Sequence, residues 1–138
     1  MKAGVAAGHP ATAAAGVEIL AEGGSAADAA VAAGLASCVA ETVMTGLLGG
    51  GHAIYLDAHT GVTRNLDSFC TAPGLGEPRR EAELVHLDVP FGAELVHYAV
   101  GPASCAVPGV PAGLHALWQE HGRLPWSRLC EPGLRLAR

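Results

Sequence analysis

The stretch Gly46-Leu47-Leu48-Gly49-Gly50-Gly51-His52 constrains the fold more than any other part of the chain. Three consecutive glycines give nothing to a core, and each costs backbone entropy. Such a run requires unusual backbone dihedrals or a second backbone at close range. If Gly50 takes a positive φ, a β-branched residue there would be strained. A long Ala-rich apolar segment, residues 26–43, precedes the run, and the alternating stretch His52-Ala53-Ile54-Tyr55-Leu56-Asp57 follows it. The glycines therefore mark the passage from a buried helix to a strand.

The remaining elements follow from the same kind of signal. Residues 3–8 read as a short buried strand. Pro10 suits the first position of a helix, where its missing N–H is harmless. Ala14, Val17, Leu20 and Ala21 recur at helical spacing, and Gly23-Gly24 ends that helix. Ser25 is a helix cap with Asp28 three residues on, as in a capping box. From Ala26 to Ala40 small apolar residues occupy nearly every face, which predicts a helix buried on most sides. Residues 52–56 and 62–66 flank Asp57-Ala58-His59-Thr60-Gly61 and predict a β-hairpin. Residues 74–94, with Arg79-Arg80-Glu81, read as an irregular surface connection. Residues 96–100 predict a strand, 112–120 a helix stopped by Gly122, and 128–138 a helix broken or shifted near Pro132-Gly133.

Several function classes are excluded early. The formal charge is -5, with no basic run, which argues against nucleic acid as a partner. The apolar segment is only moderately hydrophobic and carries Asp28 and Ser37, so it predicts a buried helix and not a membrane span. Met1-Lys2 is not followed by a Leu-rich core with a cleavage site, so no secretory signal is visible, which favours the cytoplasm. Two Trp, two Tyr and two Phe leave Ala and Gly to build the core, through closely approaching backbones. Cys38, Cys70, Cys105 and Cys130 form no C-x-x-C pair and are expected to be buried free thiols.

No local motif supplies chemistry. The glycine run lacks the Gly-Lys-Ser/Thr ending of a phosphate loop. His9, His52, His59, His86, His97, His115 and His121 include no i, i+4 pair, so neither a metal nor another cofactor is expected. Ser68, Ser104, Thr71 and Cys70 are possible nucleophiles by type, but none sits in a Gly-x-Ser-x-Gly elbow. His59 is simplest as a loop residue and His121 as a helix-end residue.

Taken in order, the motifs are more specific. Gly8-His9-Pro10, then Glu22-Gly23-Gly24-Ser25-Ala26-Ala27-Asp28-Ala29-Ala30-Val31-Ala32-Ala33, then Gly49-Gly50-Gly51 are followed by Leu66-Asp67, Thr71-Ala72-Pro73, Gly101-Pro102, Val107-Pro108-Gly109 and Gly122-Arg123-Leu124-Pro125-Trp126. This series resembles the N-terminal part of the large subunit of gamma-glutamyltransferases, over nearly the whole chain. The resemblance implies an α+β fold: part of the four-layer αββα sandwich of N-terminal nucleophile hydrolases, without its later strands and helices. Residues 1–138 would then be one incomplete domain. It also implies self-cleavage of a precursor and attack by the freed N-terminal threonine, with its own α-amine as base. That threonine lies outside this chain, so no catalytic residue is expected here. The partners implied are the rest of the large subunit, the small catalytic subunit and a small acyl donor such as glutathione. The rival expectation is a non-catalytic truncated product, or a stand-alone binding domain.

One substrate contact should fall within the matched region. The family commonly reads Leu-Asp-x-Arg-Glu-x-Ala-Pro, and its Arg binds the α-carboxylate of the glutamyl group. This chain reads Leu66-Asp67-Ser68-Phe69-Cys70-Thr71-Ala72-Pro73. Phe69 stands at the Arg position and Cys70 at the Glu position, and an aromatic ring cannot supply a charge-assisted bidentate pair. Either this branch prefers another acyl group, as the related cephalosporin acylases do, or Phe69 packs and another basic residue replaces the Arg.

Overall fold

A computed structural model of the chain describes residues 3–74, Gly76, Pro78 and 81–138. It falls into two compact units, one running to Phe69 and resuming at Pro108–Arg138, the other Cys70–Val107. Leu75, Glu77, Arg79 and Arg80, within the segment expected to be irregular, lie outside the described residues.

The first unit is built on two antiparallel helices, α1 (Pro10–Ala21) and α2 (Ala26–Ala40). Pro10 stands at the start of α1, as expected, and the His9 Nδ1 accepts the Ala11 N–H at 3.1 Å. The capping box of α2 is present: the Ser25 Oγ accepts the Asp28 N–H at 3.0 Å, and Asp28 accepts the Ser25 N–H at 2.8 Å. Asp28 does more than cap. It is fully buried, and its carboxylate also accepts the backbone N–H of Arg123 at 2.9 Å and of Leu124 at 3.3 Å. One side chain thus ties the start of α2 to the link between α3 (Val110–His121) and α4 (Trp126–Leu136).

The alanines of α2 explain its central place. Ala27, Ala29, Val31, Ala32, Ala33 and Ala36 are buried, and the helix packs on α1, α3 and α4. Small side chains let these backbones approach: a Cβ added at Gly16 of α1 would lie 3.1 Å from the Ala29 carbonyl oxygen. Ile19, Ala27, Val31, Ala32, Leu117 and Leu129 form the core. On the outside, Arg128 of α4 bonds Glu18 of α1 and Glu22 at the end of that helix, and Arg135 bonds Glu18. Helix α4 is not broken at Pro132. Pro132 and Gly133 are buried, with Gly133 close to the Leu35 backbone of α2, and this packing offsets the hydrogen bond that proline cannot make.

After α2, strands β1 (Gly51–Leu56) and β2 (Thr63–Ser68) form the expected antiparallel hairpin. Asp57 organises its loop, accepting the His59 N–H at 2.9 Å and the Thr60 hydroxyl at 2.9 Å. Ala53, Tyr55 and Leu66 face the helices and pack against the core. The glycine run passes from helix to strand without a positive φ at any of its glycines, so the strain argument for Gly50 does not hold. Close approach of another segment does not explain the run either: a Cβ at Gly46 or Gly51 would meet nothing within 4 Å, and one at Gly49 would crowd only the Gly46 carbonyl oxygen, at 3.2 Å. The Gly49 carbonyl accepts the N–H groups of Gly109 at 2.9 Å and Val110 at 3.1 Å, and so caps the N-terminus of α3.

The expected strand at residues 3–8 is absent: residues 3–7 carry no regular structure and have no partner strand.

The second unit holds a hairpin of β3 (Val85–Phe91) and β4 (Glu94–Val100), turning at Gly92 with φ 64°. The strand expected at 96–100 is the second half of β4. The segment expected to be irregular up to residue 94 instead contains β3. Its alternation, Val85, Leu87, Val89, is the strand signal. Pro90 can sit in it because a two-stranded sheet leaves one edge of every strand unpaired. Thr71 and Val107 exchange backbone hydrogen bonds of 3.3 and 2.8 Å and close the neck of this unit.

Candidate functional site

The end of β2 is tightly held by close contacts with the start of α3. Ser68 lies under the start of α3, where a Cβ on Gly109 would collide with its carbonyl and a Cβ on Gly113 with its side chain. Its hydroxyl donates to the Gly51 carbonyl at 2.9 Å. Ser68 is thus held from three sides, which fixes where the next residue, Phe69, leaves the strand.

Phe69 is 60% exposed and belongs to no core cluster. Its N–H donates to Asp67 Oδ1 at 3.0 Å. Its ring stacks on His52 of β1, with centroids 5.7 Å apart and planes 9° from parallel. His52 pairs with Asp67 across the hairpin, and its Nδ1 lies 3.4 Å from Asp67 Oδ1. Strand pairing puts His52 and Asp67 on one face, and Phe69, the residue just past the end of β2, stacks there on His52. That face also exposes Ile54 and Leu56. On the other, helix-facing side of the hairpin, a pocket of about 210 Å³ lies between α2, the glycine run and α3, lined by Cys38, Gly50, Ala53, Leu66, Ser68 and Leu114 among others.

The other candidates are not assembled for chemistry. The hydroxyls of Ser68 and Ser104 both donate to backbone carbonyls, of Gly51 and Gly101, and not to a base. Thr71 is engaged through its backbone. Among the described residues, no three His, Cys, Asp or Glu side chains converge as metal ligands would. His59 sits in the β1–β2 loop, and His121 ends α3, stacked on Tyr55 with centroids 3.7 Å apart. All four cysteines are free, but the expectation of full burial is not met: Cys38, Cys70 and Cys130 are half-buried and Cys105 is exposed. Burial pushes the thiols of Cys38 and Cys130 above their ordinary range.

Sequence reasoning singled out Phe69 and missed the groups that place it. His52 could have been found from hairpin register, since the loop length sets His52 opposite Asp67. The role of Gly109 and Gly113 could not, because it depends on a helix docking more than forty residues later in the chain.

Comparison with known proteins closes the question of kinship. The gamma-glutamyltranspeptidase family model matches residues 12–138. Glutathione hydrolase proenzyme 2 of Schizosaccharomyces pombe is 38% identical over 124 residues, which is 89% of this chain and 18% of that protein. The acylase ACY 1 proenzyme of a Pseudomonas species (strain SE83) is 37% identical over 136 residues, covering 94% of this chain and 23% of its own length. The chain also superposes along its whole length on gamma-glutamyltranspeptidase of Helicobacter pylori, with a TM-score of 0.77 and 29% identity, covering 38% of that chain. The α+β arrangement is therefore the expected portion of the N-terminal nucleophile hydrolase sandwich. The chain spans about a fifth of the length of the curated relatives it matches. By sequence and by fold, the chain belongs to the gamma-glutamyltranspeptidase family.

Proposed function

We propose that this chain is the opening portion of the large subunit of an enzyme that transfers or hydrolyses γ-glutamyl or related acyl amides, and that it forms part of the donor-binding wall. The threonine nucleophile comes from another part of the protein, so the segment alone turns over no donor. The rest of the large subunit and the small subunit are its partners. One observation carries the finer reading: Phe69, at the position where the family pattern has an Arg, presents an exposed ring at the fixed end of β2.

A γ-glutamyl donor carries a free α-carboxylate, and a carboxylate left unpaired in a closed site pays a desolvation cost. With Phe69 in place of a guanidinium, donors lacking that carboxylate lose little. The relatives are named for both chemistries, glutathione hydrolase and acylase. The test compares γ-glutamyl-p-nitroanilide with 4-aminobutyryl-p-nitroanilide, the same chain without the carboxylate, as substrates of the full-length, processed protein. At pH 8 the wild type should favour the γ-glutamyl donor by less than tenfold. Phe69→Arg should raise that preference by about ten- to a hundredfold, the worth of a charged hydrogen bond. A strong wild-type preference for the γ-glutamyl donor at pH 8, or no change in Phe69→Arg, would refute this role for Phe69.

A further inference from the structure

We propose that residues 3–7 and the groove beside them receive a β-strand from the remainder of the protein, one that pairs with this backbone and lays apolar side chains over α2. This rests on the reading of the chain as the opening portion of a longer enzyme, and goes beyond it by naming the surface to which a later segment returns.

The segment Ala3-Gly4-Val5-Ala6-Ala7 is anchored but unpaired. The first few residues of a domain are loose unless something ties them down. Val5 ties this one: it is half-buried, and a Cβ added at Gly16 of α1 would meet both its methyl groups at 3.0 Å. No turn or bend interrupts residues 3–7. Their backbone N–H and C=O groups make no hydrogen bond among the described residues. An anchored, unbent run of unpaired backbone, with neither proline nor charge, is a template for another strand.

A groove of about 540 Å³ lies between residues 3–6 and the side of α2 that carries Ala26, Ala29, Ala30 and Ala33. Leu20 of α1 also lines it, and none of its lining residues is polar. Ala26 and Ala30 are exposed there. A strand laid along residues 3–7 would make its hydrogen bonds to that backbone, and its alternate side chains would fall on one face, over the alanines. A cover of any other kind would strand the N–H and C=O groups of residues 3–7 without partners.

The size of the contact identifies the occupant. Five residues of strand span about 17 Å. A contact that short supplies a small part of the about 800 Å² that each side of a stable complex between free chains buries. The incoming strand is therefore tethered to the same protein. This chain covers 38% of the Helicobacter pylori chain on which it superposes, which leaves ample further sequence in a protein of that kind to supply the strand.

Amide exchange on the full-length, processed protein tests the pairing. Amides of residues 3–7 should exchange on the order of a hundredfold or more slower than free-peptide amides. Exchange at the free-peptide rate would overturn the proposal. Neighbouring N–H groups of a strand point to opposite edges, so Ala6→Pro and Ala7→Pro probe one edge each. At least one of them should lower the thermal midpoint by several degrees; if neither does, no strand pairs here. Ala30→Glu should lower it as well, because a carboxylate would then lie under the incoming strand, whereas a groove open to water would leave it unchanged and refute the cover. Protection that fades on dilution would assign the partner to a second copy and overturn the tethered strand. Turnover of γ-glutamyl-p-nitroanilide by the same preparation tests the underlying activity separately. Protection without turnover leaves the strand standing and sinks the activity, and turnover with residues 3–7 unprotected sinks the strand alone.

Discussion

Removing the Asp28 carboxylate should loosen the first unit at its centre. Asp28 is fully buried and accepts from three backbone N–H groups: Ser25 at 2.8 Å, Arg123 at 2.9 Å and Leu124 at 3.3 Å. The bond to Ser25 belongs to the helix cap, and loss of such a cap costs about 1 kcal/mol. The other two join segments 95 and 96 residues apart in sequence. Each leaves an orphan donor when the carboxylate goes, at a cost of about 1–3 kcal/mol, with the lower value suiting a site at the edge of solvent. Asp28→Ala should therefore cost about 3 kcal/mol, and Ser25→Ala about 1 to 1.5. The measurement is the urea midpoint of the full-length protein for both variants, together with amide exchange at Arg123 and Leu124. Faster exchange at those two amides in Asp28→Ala, with little change in Ser25→Ala, is the expected signature. Ser25 also reaches across, its hydroxyl donating to the His121 carbonyl at 2.8 Å, so the deciding readout is exchange: if the Arg123 and Leu124 amides exchange no faster in Asp28→Ala, the Asp28 tie is energetically empty.

Two further outcomes can be checked on the same protein. Gly109→Ala should destabilise more than Gly113→Ala, within a range of about 1–3 kcal/mol, because its Cβ meets the Ser68 backbone where that of Gly113 meets a side chain that can shift; equal losses in thermal melts would contradict this. The hydrogen bond from Arg128 holds the carboxyls of Glu18 and Glu22 below their ordinary range, so this stabilisation is present above the unfolded carboxyl value near pH 4.5 and is lost as pH falls through the lower folded values. Amide exchange in α1 and α4 should accordingly rise below about pH 4 in the wild type, and Arg128→Gln should show less of this acid response.

Local chemistry made much of the first unit legible. Pro10, Gly23-Gly24 and the Ser25–Asp28 pair set helix ends within a residue or two, because capping is decided by neighbours in sequence. The alternation of residues 52–57 gave the first hairpin for the same reason. The failures lie where a partner decides. Residues 3–8 are apolar and strand-like, yet a strand exists only if another pairs with it. In β3, Pro90 and the surrounding charge obscured an alternation that the Gly92 turn and β4 complete. Pro132 looked like a break because the sequence does not show the α2 surface against which it packs. At the candidate site, Phe69 was legible from the ordered motif series, whereas His52 emerged only through strand register and ring stacking. The glycine run does mark the passage from helix to strand, but neither a positive φ nor a crowding segment of α3 accounts for its glycines.

The chain leaves the first unit after Phe69 and re-enters it at Pro108, and the paired backbones of Thr71 and Val107 stand at that junction. A segment whose ends are hydrogen-bonded together behaves as a cassette on a stem. Doubling its length adds only about 0.6 kcal/mol of closure entropy. Residues 72–106 are therefore where insertion, deletion or replacement costs least, while Phe69 and the capped start of α3 stay in register on either side of the stem.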